Sequence, residues 1–318
     1  MSLGLSFTLL SFTLPSTSSW TLSWVLLSIT AAFLLAIVHI LDKYILTKLV
    51  KDPRIPITVL GFVALITAVL LYIKGIVLLD KVNVVLGLTA GAFSVLQLLL
   101  YFRAVQLEEI SRVVPVYYLN TLFVALLASV LFGEVFGIAQ YLGIILIMIG
   151  TIILSTKKLK NEIKISKAFW LMLLAGVCLS LNYIITKHLL NYADYWSVFF
   201  YTRIGTFLAS IPIAVITFKE LMNLMKERSK KPLFLMLLTE IIALVSVFFI
   251  TIAASLGPIT LVNALGSTDQ FFVLLIATLI SVFTPRILRE EVSGGLFVMK
   301  LLATILVFVG VVLVSSLV

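Results

Sequence analysis

The chain has 318 residues, of which 62% are hydrophobic and 12% are charged, about half the charged fraction of an ordinary soluble domain. This composition excludes an ordinary soluble protein, because such a protein needs a charged surface, and it favours an exterior that faces lipid. The net charge of +9 does not indicate nucleic-acid binding, because Lys and Arg form short clusters between apolar segments rather than one basic stripe.

The N-terminal segment, residues 1–19, is rich in Ser, Thr and Leu and lacks the basic start of a secretory signal. Uncharged runs of about 20 residues, the length that a helix needs to cross the hydrocarbon core, then recur along the chain. An all-α integral membrane protein follows, because these runs are too long for barrel strands. We predict ten transmembrane helices, spans 1 to 10, at residues 20–46, 56–74, 84–106, 111–132, 137–156, 168–190, 196–218, 233–256, 259–283 and 296–317.

The boundary between spans 8 and 9 falls inside one long apolar stretch. Residues 232–285 carry only Glu240 and Asp269 as acidic residues and no basic residue, and the stretch is too long for one crossing. Gly257-Pro258 near its centre predicts a break, because proline cannot continue the hydrogen bonding of a helix.

Two parts of the chain resemble each other weakly. Three pairs of segments recur in the same order: LDKYIL at 41–46 with ITKHLL at 185–190, AVQLEEISRVV at 104–114 with AASLGPITLVN at 253–263, and MIGTIILS at 148–155 with FVGVVLVS at 308–315. We predict two five-helix repeats, a first half at 20–156 and a second half at 168–318, joined by a basic linker at 157–167. Because five is odd, the second half enters the membrane in the opposite sense, as in the inverted repeats of many secondary transporters.

Residues 101–155 carry a more specific pattern. Its cues are an aromatic-x-x-Ala at Tyr101 to Ala104, Pro115 in span 4, Gly133-Glu134 after it, and Gly143 with Gly150 in span 5. This pattern resembles the ten-helix EamA-type branch of the drug/metabolite transporter superfamily, and the resemblance extends over roughly residues 20–317. It implies solute transport without naming the solute. The second half departs from the pattern, because Ala264 stands where Pro115 does and Glu290-Glu291 replaces Gly-Glu.

The basic residues lie mostly on one side of the predicted bundle. The odd-numbered connections between spans carry 19 Lys and Arg, and the even-numbered ones carry three. The positive-inside rule makes the odd connections cytoplasmic and places both termini outside, whereas the resemblance implies termini inside. We favour the charge bias, and a reporter fused to the C-terminus distinguishes the two orientations.

Asp269 and Arg203 lie deep within predicted spans 9 and 7. An ionised Asp at a helix centre costs about 2.5–3.5 kcal/mol on insertion scales, so Asp269 is expected to face a partner or a wet cavity. It aligns with Asn120 at the middle of span 4, which gives each half a polar group near the bilayer centre. Arg203 is either the partner of Asp269 at rest or a receptor for an anionic group. A fixed interhelical pair at Asp269 is the structural alternative.

Polar stripes on two further spans predict the wall of a cavity. Gln97 and Tyr101 belong to the stripe of span 3, and Asn263 and Gln270 to that of span 9. Interhelical hydrogen bonding explains such stripes equally well. The candidate substrate-binding residues are Arg203, Asp269, Asn120, Asn263, Gln270, Gln97 and Tyr101.

Three ionisable residues are candidates for proton coupling or gating: Asp269, Glu240 and His39. His39 and Asp42 are three residues apart, so they can share a proton on one helix face. An interfacial anchor is the alternative for His39, and a side chain that reaches out of the membrane is the alternative for Glu240.

Enzyme motifs are missing from the sequence. It has no His-Glu-x-x-His, no Gly-x-Ser-x-Gly and no phosphate-binding Gly-x-x-x-x-Gly-Lys-Ser/Thr. We therefore predict no catalytic residue, cofactor or metal. Because the phosphate-binding motif of an ATP-driven pump is missing from the sequence, we predict an ion or solute gradient as the energy source.

The predicted function is alternating-access transport of an amino acid or related amphiphilic metabolite across the cell membrane, with a proton or cation as candidate coupling partner. Monomer and homodimer both stay open.

A different class of function stays open as well. A membrane-embedded enzyme or lipid-handling protein could use the same central cavity. It would need reactive groups near one membrane surface, for which the sequence offers only Glu108-Glu109 and Glu290-Glu291.

Overall fold

The computed structural model describes residues 17–132, 137–159, 162–226, 229–256, 265–286, 288 and 294–315. A π-helical turn, Ile45–Leu49, continues the first helix. In chain order the helices are α1 Thr17–Tyr44, α2 Arg54–Lys74, α3 Lys81–Leu107, α4 Ile110–Tyr117, α5 Asn120–Phe132, α6 Ile138–Ser155, α7 Lys167–Leu189, α8 Tyr195–Lys226, α9 Lys231–Leu256, α10 Asp269–Phe283 and α11 Gly294–Ser315.

Seven of the described helices are long and apolar enough to cross a membrane, and shorter apolar helices lie in predicted spans 4, 5 and 9. Large apolar side chains such as Ile73, Leu78, Val130 and Ile138 are exposed, which suits a surface in contact with lipid. The predicted helical membrane architecture is confirmed at this level. The predicted break at Gly257-Pro258 lies outside the described residues.

The linker between the halves is not helical. Strand β1, Thr156–Leu159, pairs antiparallel with strand β2, Glu162–Ile165, so that Thr156 lies opposite Ile165. Polar and apolar residues alternate along β2, and this period of two is typical of a strand. The described fold is all-helical apart from this short ribbon, which the sequence analysis did not predict. Ser166 ends the ribbon and begins α7, because its side chain accepts a hydrogen bond from the backbone N–H of Ala168.

Helices of the first half pack mainly on helices of the second half. Helix α1 contacts α9 and α10, α2 contacts α8, and α3 contacts α7 and α8. Helix α4 contacts α10 and α7, α5 contacts α7, and α6 contacts α11. The two halves are therefore interlocked along most of their length.

The crossing of α3 and α8 depends on small residues. A Cβ atom added to Gly91 would lie 2.3 Å from the carbonyl oxygen of Thr202, and one added to Gly205 would lie 2.3 Å from that of Leu88. At Gly87, it would lie 2.7 Å from the Cβ of Tyr201. The spacing of Gly87 and Gly91 therefore serves close helix packing, a common use of Gly-x-x-x-Gly in membranes.

Predicted spans 4 and 9 are each interrupted. Helix α4 ends at Tyr117 and α5 begins at Asn120; in span 9, residues 265–266 are helical, residues 267–268 form a turn and α10 begins at Asp269. These spans were predicted as continuous helices, and that detail is wrong. Pro115 lacks the N–H that would continue the hydrogen bonds of span 4, whereas the described part of the second break contains Gly266 and no proline.

Candidate functional site

A cavity of about 180 Å³ lies between the halves. Its lining comes from α1, α2, α3 and α4 of the first half and from α8 and α9 of the second. A single buried water needs only about 10–15 Å³ of such space. The cavity therefore has room for a small metabolite.

Four ionisable side chains line the cavity: His39, Asp42, Arg203 and Glu240. The guanidinium carbon of Arg203 lies 4.3 Å from the centre of the Phe199 ring, an attractive cation–π geometry. Its Nε has no hydrogen-bond partner among the described residues. Arg203 attracts Glu240 electrostatically, whereas Glu240 repels Asp42. One fixed cation and two carboxylates thus share one cavity.

Neutral polar groups complete the lining. The side-chain amide of Gln97 donates a hydrogen bond of 2.9 Å to the hydroxyl of Tyr117, and Tyr101 and Thr239 also line the cavity. Of the predicted stripe on span 3, Gln97 and Tyr101 therefore face the cavity. Ser94, in contrast, accepts a 3.0 Å hydrogen bond from Asn182 of α7 and serves helix packing.

Asp269 lies behind the cavity wall. Its Oδ2 is 3.4 Å from Nε2 of His39, and its Oδ1 accepts a 2.5 Å hydrogen bond from the hydroxyl of Tyr118. The side chain is 1% exposed, and His39, which does line the cavity, lies next to it. The predicted need for a partner at this position is thus met by an imidazole.

The predicted resting pair of Arg203 with Asp269 is wrong. Helix α10 packs mainly on α1, α4 and α11, whereas α8 packs mainly on α2, α3 and α9, and Asp269 pairs with His39. Arg203 instead lies on the cavity wall, and the Nε atom of its guanidinium group has no hydrogen-bond partner among the described residues. The other alternative, that Arg203 receives an anionic group, stays a prediction.

Asn120 and Gln270 sit at the two helix breaks rather than on the cavity wall. Asn120 is 9% exposed and Gln270 is 0% exposed. The amide oxygen of Asn120 and both amide atoms of Gln270 have no hydrogen-bond partner among the described residues. Their predicted contact with a solute stays a prediction, and Asn263 lies outside the described residues.

A buried charged cluster joins the halves at the end of the bundle where α3 meets α4. Oε2 of Glu109 lies 2.8 Å from Nζ of Lys300 and 2.9 Å from Nε of Arg112. Lys300 is 2% exposed. The sequence places Glu109 between predicted spans 3 and 4 and Lys300 within predicted span 10, and this cluster was not predicted. The position of Lys300 inside an apolar run is a signal that could have indicated a buried partner.

Sequence reasoning also missed several groups of the site. Asp42 was predicted only to share a proton with His39 and was not given a place in the cavity. Tyr117, Tyr118 and Thr239 were not assigned a place in the cavity or beside Asp269. The described residues contain no group of three His, Cys, Asp or Glu that could hold a metal ion.

An apolar helical bundle with a cavity lined by charged residues is typical of a multi-pass membrane protein. Residues 22–156 match the model of the EamA-like transporter family, the family that the pattern at residues 101–155 resembles. The predicted family resemblance is confirmed there.

The fold also recurs among solved structures. One of them, described only as the crystal structure of a protein, superimposes with a TM-score of 0.58 over 93% of this chain and 98% of that chain, at 17% sequence identity. At this identity the similarity concerns the fold alone. No curated protein matches the chain.

Proposed function

We propose that this protein is a secondary active transporter of the cell membrane that moves a small zwitterionic metabolite, such as an amino acid, by alternating access. The substrate occupies the cavity between the halves. Its carboxylate binds Arg203, and its ammonium group binds between Asp42 and Glu240. Transport is preferred to membrane-embedded catalysis because the EamA-like family is one of transporters.

The composition of the cavity is the observation that carries this proposal. Arg203 offers a planar, permanently charged fork that suits a carboxylate, and its Nε has no described protein partner. Asp42 and Glu240 repel each other, so a cation between them would relieve the repulsion. Opposite charges in one cavity of about 180 Å³ favour a molecule that carries both charges.

The packing of the helices supports an inverted repeat. A two-fold axis between the halves would exchange span 1 with span 6, span 2 with span 7, and so on through spans 5 and 10. Under this exchange, the contact of α1 with α9 becomes the contact of α7 with α3. The exchange converts the contact of α1 with α10 into that of α7 with α4 and α5, and α3 with α8 into α9 with α2. All of these contacts occur. The contacts of α2 with α8, α4 with α10 and α6 with α11 exchange with themselves.

The crossing of α6 and α11 supports the same symmetry at atomic detail. A Cβ on Gly150 would lie 2.7 Å from the carbonyl oxygen of Ala303, and one on Gly310 would lie 2.6 Å from that of Gly143. In the alignment of MIGTIILS with FVGVVLVS, Gly150 corresponds to Gly310 and Gly143 to Ala303. The two contacts are therefore equivalent, as expected for antiparallel helices related by a two-fold axis.

Alternating access needs contacts that close one end of the cavity and then open. The pair of Glu109 with Lys300 joins the first half to the second, and Arg112 of α4 holds the same carboxylate. Within the proposed cycle this cluster closes its end of the bundle and separates when that end opens.

Counterflow in liposomes tests the proposal. Purified protein is reconstituted, loaded with a mixture of unlabelled L-amino acids and supplied with the same mixture in radiolabelled form at equal pH on both sides. We expect uptake above that of protein-free liposomes. Arg203→Ala should lower it at least about tenfold, because a hydrogen-bonded charge contributes roughly 1.5–3 kcal/mol.

Arg103→Ala is the matched control, because Arg103 is exposed and does not line the cavity. Uptake no greater than in protein-free liposomes, or equal loss in Arg203→Ala and Arg103→Ala, would refute the proposal. Chemical conversion of the labelled compounds without net movement would favour the enzyme instead.

A further inference from the structure

A continuous chain of buried polar contacts runs from the cavity to Asp269. The hydroxyl of Tyr101 lies 2.7 Å from Nδ1 of His39 and 3.3 Å from Oδ2 of Asp42. At the other nitrogen of the imidazole ring, Nε2 of His39 lies 3.4 Å from Oδ2 of Asp269. All four side chains are less than a tenth exposed. The chain links α1 and α3 of the first half to α10 of the second.

These contacts limit where hydrogens can lie. The single hydroxyl hydrogen of Tyr101 can point to His39 or to Asp42 but not to both. If Nδ1 of His39 is bare, Tyr101 donates to it, and the contact with Asp42 holds a hydrogen only when that carboxyl group is protonated. If Nδ1 carries a hydrogen, it donates to Tyr101, and Tyr101 donates to ionised Asp42. When Asp42 is protonated in the first arrangement, the two arrangements contain the same number of protons and differ only in where those protons lie.

We infer that Asp42, Tyr101 and His39 form a binding site for one proton, and that this proton is the coupling ion of transport. This inference rests on the transport proposed above. A proton from cavity water binds Oδ2 of Asp42. It then passes to the oxygen of Tyr101 while the hydroxyl hydrogen of Tyr101 moves to Nδ1 of His39. One O–H bond breaks and one forms on Tyr101, and Asp42 is ionised again.

The position of the site explains how a proton would act on the protein. After transfer, His39 is an imidazolium ion beside Asp269, and this pair bridges the first half and the second. Without the proton, a neutral imidazole faces the same carboxylate and the attraction between the halves is weaker. Proton binding therefore biases the relative position of the halves, which is the movement that alternating access requires.

Other titratable and charged groups face this site from the neighbouring helices. Helix α9 contributes Glu240 and α8 contributes Arg203, which oppose each other in their effect on a bound proton. Helix α4 contributes the hydroxyl of Tyr117, and Tyr118, directly after α4, donates to Asp269. On α1 itself, Lys43 donates to the carbonyl oxygens of Val105 and Glu108.

Nitrogen NMR of the full-length protein in lipid nanodiscs tests the proton site directly. The chain contains two histidines, so His188→Gln leaves His39 as the one labelled ring. Between pH 5 and pH 9 we expect a change from two protonated ring nitrogens to protonated Nε2 and bare Nδ1. With Tyr101 present, Asp42→Asn should shift the titration of His39. In Tyr101→Phe, which keeps the ring but removes the relay, the same substitution should shift it less, because only the direct electrostatic interaction between the two side chains remains. Two results would overturn the inference. One is a protonation state of His39 that does not change over this pH range. The other is a shift by Asp42→Asn that is as large in Tyr101→Phe as it is with Tyr101 present.

Accumulation in liposomes tests the coupling. With the labelled amino-acid mixture and a gradient of one pH unit, coupling of one proton to one solute gives up to about a tenfold concentration ratio at steady state. This ratio depends on coupling rather than on rate. We expect it in the wild-type protein and in Tyr141→Phe, whose ring is exposed, and a ratio near one in Tyr101→Phe.

The outcomes separate the two proposals. Counterflow at equal pH with no accumulation under a pH gradient and no titration of His39 overturns the proton site and leaves transport standing. Titration of His39 through Tyr101 without any counterflow overturns transport of this substrate class and leaves the proton site as a property of the chain.

Discussion

The two helix breaks have the same pattern of backbone hydrogen bonds and different side chains. The N–H of Leu119 donates to Val116 and that of Leu122 to Leu119, at 3.1 Å in both cases, and Thr268 donates to Leu265 and Phe271 to Thr268, at 3.0 Å. All of these positions correspond in the alignment of AVQLEEISRVV with AASLGPITLVN. Pro115 is present at one break and Ala264 stands in the other, so the geometry of the break does not depend on proline.

The side chains at the breaks are charged in one copy and neutral in the other. Asp269 meets His39 at the second break, whereas Asn120 takes the place of Asp269 at the first. Aligning LDKYIL with ITKHLL makes Tyr183 the counterpart of His39. Both halves thus contain a broken helix, and a carboxylate–imidazole contact occurs at the second break alone, so the two breaks differ in chemistry.

The largest contrast should appear when each break loses its polar side chain. Asp269→Ala leaves His39 and Tyr118 without their buried acceptor, and removing one partner of a buried ion pair costs about 3–5 kcal/mol. Asn120→Ala should cost less than about 1 kcal/mol, because its amide oxygen has no described partner. Chemical unfolding in detergent micelles measures both, and equal losses would remove the distinction between the breaks.

The same contrast extends to the ends of α6 and α11. Lys300 pairs with Glu109, and its counterpart in the alignment of the two helices is Gln140, whose amide oxygen accepts from the N–H of Gly137. Lys300→Met should destabilise the protein by about 2–3 kcal/mol, since Arg112 still compensates the carboxylate. Gln140→Met should cost about 1 kcal/mol. A cost for Gln140→Met that matches or exceeds that of Lys300→Met would contradict this asymmetry.

Backbone packing should behave symmetrically where charge does not. A methyl group at Gly150 or at Gly310 meets a carbonyl oxygen of the other helix at 2.7 or 2.6 Å, and such overpacking costs typically about 1–3 kcal/mol. We expect Gly150→Ala and Gly310→Ala to shift the unfolding midpoint equally. Gly295→Ala is the control, because a Cβ there meets nothing within 4 Å. A loss confined to one glycine would argue against a two-fold crossing.

The helices could be predicted from the sequence, because apolar runs of about 20 residues report directly on the bilayer. The burial of Asp269 was predictable for the same reason, since an ionised carboxylate in lipid needs a partner. Which partner it takes was not predictable. His39 and Arg203 both satisfy the electrostatic requirement, and the choice between them depends on which helices pack together, a property of the tertiary fold rather than of local sequence.

The charged cluster at Glu109 and Lys300 shows a second limit. Glu109 lies in the predicted connection between spans 3 and 4, where charge is ordinary and carries no signal of burial, and the position of Lys300 within span 10 does not indicate which partner it takes. Only the packing of α4 against α6 and α11 brings these residues together out of water. The ribbon of β1 and β2 was missed because a basic linker between membrane spans is usually interpreted by charge alone.

The smallest effect is expected for Ser180, which contacts the neutral break at Asn120. The charged break has no equivalent contact. The hydroxyl oxygen of Ser180 lies 3.0 Å from the carbonyl oxygen of Asn120 and 2.7 Å from that of Gly176, and its single hydrogen is shared between these two acceptors. The counterpart of Ser180 in the first half is Ala36, which is 0% exposed. Ser180→Ala should therefore cost about 1 kcal/mol or less in an unfolding titration, because the second contact is internal to α7 and Ala already fits the equivalent site. A loss as large as that of Asp269→Ala would mean that the neutral break, too, depends on one polar contact.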